Sequence, residues 1–144
     1  FVDSLLILFI TVIIIAFAAT SGQAEASKDG HPHPEENMPQ YTGTRLIQAS
    51  LDLISRRAYC DSTLEVYPGY NGYLTMYLQK KTSGSWSTVT SWSGSTAGSN
   101  GVSLDEFYAN LIVGTTYRVR AVGMIYQNGT FVEQVSAISP EQTR

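Results

Sequence analysis

The spacing of apolar positions changes character twice along this 144-residue chain. Residues 5 to 19, LLILFITVIIIAFAA, are an unbroken apolar run in which Thr11 is the one polar residue. Such a run is long for the core of an export signal and short of the ~20 residues that span a bilayer comfortably. The next stretch, SKDGHPHPEENMPQ from Ser27 to Gln40, has no period and contains Pro32, Pro34 and Pro39, as expected of an extended linker. From Tyr41 onward apolar and polar residues alternate with a period of two, and turn residues recur about every ten positions, which predicts strands throughout.

The alternation assigns a face to each strand. Ile47, Ala49, Leu51 and Leu53 point inward in RLIQASLDLI, and Ala58, Cys60, Leu64 and Val66 do so in RAYCDSTLEVY, with Ser62 the polar exception on that side. After the PGYNG turn, Leu74, Met76 and Leu78 face in, while Tyr73, Thr75, Tyr77 and Gln79 face out. WSTVTSW continues beyond the turn TSGS, and SGSTAGSNG then reads as a flexible loop before the strand VSLDEFY. In TTYRVRAVGMIY the set Tyr117, Val119, Ala121, Gly123 and Ile125 opposes Arg118, Arg120, Val122, Met124 and Tyr126. Asn128-Gly129 is the strongest two-residue hairpin pattern, because both turn positions need a positive φ, and FVEQVSAI closes the series before Pro140. Seven antiparallel strands without a helical period predict an all-β, immunoglobulin-like sandwich over residues 41–139, with a C-terminal tail at 140–144.

Two resemblances refine this expectation. NLIVGTTYRVRAV resembles the fibronectin type III pattern in which a leucine, a Gly-Thr turn and a tyrosine lead into the sixth strand; Leu111 matches the leucine and Tyr117 the corner tyrosine, while Val113 stands where proline is common. YLQKKTSGSWSTVTSW followed by GTTYRVRAV is similar to a family of small secreted proteins of Gram-positive bacteria with a domain of unknown function, which also carries a cysteine near the position of Cys60. That likeness covers roughly Thr44 to Ile138; it implies export and a sandwich, and it implies no activity.

Export is also read from the N-terminal residues. Ala24 and Ala26 are the small residues a signal peptidase reads, so residues 1–26 are expected to be a cleaved hydrophobic signal helix, with a retained membrane anchor as the alternative. The opening Phe followed by an apolar segment resembles a type IV pilin, a filament subunit, but that family has Glu where this chain has Leu5, and Gly22, Gly30 and the prolines break a long helix early. Without Asp3 and Glu25, nine Lys and Arg face ten Asp and Glu, a balance with no footprint for nucleic acid. The single Cys60 offers no internal disulfide.

Catalytic chemistry is poorly supplied. His31 and His33 both lie in the linker, where with Glu35 and Glu36 they have no rigid surroundings to fix metal geometry, so neither a metal nor a cofactor is expected. The body therefore lacks an imidazole base. Asp61 and Glu65 share a strand face near the spacing of glycosidase carboxylates, yet the strand offers no cleft; an extracellular hydrolase is retained only as an alternative.

The expected function is adhesion or recognition by a secreted or cell-surface domain whose partner is a protein or a glycan. The membrane is met only through the N-terminal segment if that segment stays uncleaved. If the third and sixth strands are neighbours, Tyr73, Tyr77, Arg118 and Arg120 form one solvent-facing binding face, built of residue types enriched at recognition hot spots. Trp86 and Trp92 are the alternative site. Strand parity sets them on one face unless a bulge intervenes, with both in the core if Val89 points out, and both in solvent if it points in.

Overall fold

The structure is a computed structural model that describes residues 40–144. The expected signal helix or anchor at residues 1–26, and the linker with His31 and His33, lie outside the described residues. The body Gln40–Arg144 is all-β, with strands β1 (Thr44–Ile54), β2 (Arg57–Val66), β3 (Asn71–Thr82), β4 (Ser85–Ser95), β5 (Gly101–Ala109), β6 (Thr116–Gln127), β7 (Thr130–Ile138) and the short β8 (Gln142–Thr143). They form two antiparallel sheets, β1-β2-β5 and β4-β3-β6-β7, and β8 pairs with β6. The sheets face each other as a β-sandwich in which β2 lies over β3 and β6, while β1 closes on β7 and β5 on β4 at the two sides.

Turn chemistry fixes the hairpins. Asn128 and Gly129 adopt φ of 50° and 80°, the pair of positive values expected of the tight turn joining β6 to β7. Ser83 and Gly84 do the same between β3 and β4, so TSGS is the tip of a hairpin that contains the whole Tyr77–Trp92 segment.

The inward positions read from the alternation fill the core in two clusters. One gathers Leu51, Cys60, Met76, Leu78, Leu111, Tyr117 and Val119; the other gathers Leu64, Val66, Leu74, Ala121, Ile125 and Val135. Leu64 shows why glycines stand in two central strands. A Cβ on Gly72 would lie 2.7 Å from Leu64 Cδ2, and one on Gly123 would lie 3.1 Å from its Cδ1, so the two bare backbones make the hollow that takes this side chain.

Three ties hold the ends of the sandwich. The Tyr117 ring is buried, and its hydroxyl accepts a 2.9 Å hydrogen bond from the Ile112 amide, fixing the β5–β6 connection. Glu133 on β7 reaches the start of β1 in the other sheet, where its carboxylate accepts from the amides of Thr42, Gly43 and Thr44 and from the Thr44 hydroxyl at 2.9–3.0 Å. The Gln142 side-chain amide donates to the Leu51 carbonyl and accepts from the Leu53 amide at 3.2 Å, bonding to the backbone of β1 as a neighbouring strand would. The C-terminal five residues thus add an eighth strand to the seven expected.

Two local readings need correction. SGSTAGSNG is not all loop: β4 runs to Ser95, and Thr96 is fully buried, exchanging 2.9 Å hydrogen bonds with the Gly72 backbone through its amide and hydroxyl. The two indoles do not share a face. Leu78 pairs with Thr90 and Gln79 with Thr88, so Val89 is an extra residue in β4, and this bulge reverses the alternation beyond it. Val89 and Trp92 both pack against the first core cluster, whereas Trp86 lies on the outer face.

Candidate functional site

Side chains that alternate away from the core make the outer surface of β4-β3-β6-β7. The ladder sets Tyr77 opposite Arg120, Gln79 opposite Arg118, and Tyr73 opposite Met124. Of the four residues expected to form a binding face, Tyr77, Arg120 and Arg118 are therefore immediate neighbours. Tyr73 stands further along β3 in a separate group: it is 56% exposed, its ring meets Tyr126 edge-on at 5.6 Å, and Tyr126 meets Phe131 at 5.7 Å.

At the other end Arg118 is held on two sides. Its Nε donates to Gln79 Oε1 at 2.9 Å, and its guanidinium lies 4.1 Å from the Trp86 ring centroid. Lys81 lies 5.5 Å from the same ring and pairs with Glu141 at 3.5 Å. A guanidinium fixed by a hydrogen bond and an aromatic face loses less conformational freedom when its remaining N–H groups engage a ligand. Among the described residues neither Arg118 nor Arg120 has a carboxylate partner. Trp86 belongs to this face, as the alternative site allowed, but Trp92 does not. Sequence reading missed the supporting roles of Gln79 and Lys81, because the register that sets Trp86 opposite Lys81 comes from the Ser83-Gly84 turn and not from alternation along one strand.

The opposite outer surface, on β1-β2-β5, has the other sign. Asp61 stands directly across from Asp105, Ser50 donates to Asp61 at 3.3 Å, and Asp52 lies on the neighbouring strand. Glu65 is taken up by Arg45 at 3.6 Å, so it is not a free partner for Asp61. A recess of about 430 Å³ opens at the side of the sandwich where β1 and β2 meet β7, between Ala49, Ser50, Asp61 and Ser62 of one sheet and Ala137 and Ile138 of the other. Beyond the acids, Phe107 is 57% exposed, with Tyr59 at 6.5 Å and the Arg57 guanidinium at 5.4 Å from its ring.

The groups that could do covalent chemistry are committed elsewhere. Cys60 is fully buried, and burial, with the adjacent Asp61 charge second, pushes its thiol up to about 12, so the reactive thiolate is scarce at neutral pH. For Glu133 burial acts to raise the pKa, but the hydrogen bonds from Thr42, Gly43 and Thr44 together hold it below the usual carboxylate range. Among the described residues no group of three or more His, Cys, Asp and Glu is arranged to hold a metal ion.

No family model and no curated protein matches the chain. Its own residues make it an all-β sandwich with an aromatic, cationic sheet face on one side and a face bearing the Asp61–Asp105 pair on the other.

Proposed function

We propose that this chain is a secreted or cell-surface, non-catalytic binding domain that recognises a protein or a glycan through the outer face of β4-β3-β6-β7. One observation carries the reading: Arg118, pinned by Gln79 and Trp86, stands beside Arg120 and Tyr77 with no anionic partner among the described residues. Such pre-positioned Arg and Tyr groups supply directional hydrogen bonds and aromatic area at low entropic cost.

The sandwich itself is proposed to be immunoglobulin-like, of the fibronectin type III kind. The strand order β1-β2-β5 against β4-β3-β6-β7 supports this, as does the hydrogen bond that the Tyr117 hydroxyl accepts from the Ile112 amide upstream of its own strand. A recognition role also accords with chemistry: the body has no histidine, and its one thiol is buried.

The test is retention on cell-wall and host-glycan material and on surface-protein arrays. Tyr77→Ala with Arg120→Ala is expected to abolish retention while leaving the melting temperature nearly unchanged; retention unaffected by the pair would remove this face from consideration. The mass of the exported product decides the N-terminal question, since a product beginning near Ser27 excludes a filament helix.

A further inference from the structure

Resting on that reading of the β4-β3-β6-β7 face, we infer that one of its partners is a second copy of this chain, docked head to tail by its acidic β1-β2-β5 face. Both halves of the contact are present on every molecule. The cationic half presents Arg118 and Arg120, two positions apart on β6 and therefore ~7 Å from each other. The acidic half presents Asp61 and Asp105 as direct cross-strand neighbours, ~5 Å apart, with Asp52 nearby. Among the described residues none of these three carboxylates has a Lys or Arg partner.

Like charges placed directly opposite each other in a ladder repel, and among the described residues only the Ser50 hydroxyl answers Asp61. An incoming guanidinium pair relieves that repulsion and completes the hydrogen bonding of both faces. Apolar surface accompanies charge on each side: Phe107 is 57% exposed on the acidic face, and Ile138 is 52% exposed beside Arg120 on the cationic one.

Sign decides the symmetry. Docking two cationic faces would oppose arginines, and docking two acidic faces would oppose the Asp61–Asp105 pairs with only Arg57, held over Phe107, to offset them, so the unlike pairing is the most favourable. That pairing is heterologous, and each added copy leaves one face of each kind free, which gives open chains unless the rotation closes a ring. Three strands at ~4.8 Å spacing and about eight residues of ladder make a face of roughly 400 Å². Two such faces fall below the ~1,200 Å² of stable complexes, so the association is weak, salt-sensitive and concentration-dependent.

The experiment is sedimentation of the full chain in density-matched detergent over a concentration series, at salt levels where the Debye length falls from ~30 Å to ~3 Å. The expected result is a weight-average mass that climbs with concentration at low salt and returns to the monomer at high salt. Arg118→Gln with Arg120→Gln, and separately Asp61→Asn with Asp105→Asn, should each stop the climb. Mixed together, these two variants retain one complementary pair of faces and should form a dimer and nothing larger. A wild-type chain monomeric at every concentration in low salt overturns the inference, as does association that survives the aspartate variant. Glycan or protein retention that still depends on Arg120 in a chain that does not self-associate overturns the second-copy partner alone and leaves the recognition reading intact.

Discussion

Glu133 shows how one side chain can do the work of a strand neighbour. The chain entering β1 presents three successive amides, those of Thr42, Gly43 and Thr44, and the Glu133 carboxylate accepts from all three. Its folded-state pKa is depressed, so its contribution is fully present above the unfolded-state value near ~4.3 and disappears as pH falls through the folded value. Glu133→Gln is expected to lower unfolding free energy by about 1 kcal/mol at neutral pH, a figure already reduced for solvent screening. In urea titrations the gap to wild type should close as pH falls into the acid range. A gap that stays constant with pH would mean that shape, and not charge, makes the clamp.

At the scale of elements, the β3–β4 hairpin decides what the two tryptophans do. Strict alternation assigns Trp86, Thr88, Thr90 and Trp92 to one face, and this fails because Val89 is accommodated as an extra residue in an edge strand. An edge strand has ladder bonds on one side only, so a bulge disrupts fewer hydrogen bonds there than in a central strand, and the added twist discourages pairing with other chains. The outcome is one indole for packing and one for the surface. Trp86→Phe should leave emission from Trp92 that iodide quenches poorly. Trp92→Phe should leave emission from Trp86 that iodide quenches well, since Arg118 and Lys81 draw the anion to that ring. Equal quenching of the two variants would contradict the split.

In the whole molecule, the C-terminal residues join the sheets. β8 pairs with the start of β6, while the Gln142 amide takes both backbone partners at Leu51 and Leu53 on β1. Gln142→Ala should cost about 1 kcal/mol, and ending the chain at Glu141 about 2–3 kcal/mol because the β8 ladder is lost as well. Denaturant midpoints would show this, with an unchanged slope indicating that the fold is retained. A truncated chain with the wild-type midpoint would show that the β1 side is closed without the tail.

The residue pattern alone determined the all-β class, the inward faces of β1, β2, β3 and β6, the Asn128-Gly129 turn, and, once the third and sixth strands are paired, the proximity of Tyr77 to Arg118 and Arg120. Each follows from alternation or turn chemistry over a few neighbouring residues, and the pairing of the third and sixth strands was the one topological assumption required. Only the tertiary structure decided the rest: the bulge at Val89, the separation of Tyr73 from the arginines, the Leu64 hollow at Gly72 and Gly123, and the clamps of Glu133 and Gln142. Those features are set by register between strands or by partners 89 to 91 residues away, as for Glu133 and Gln142. Parity along one strand says which face a side chain takes, but it holds no information about which residue waits opposite.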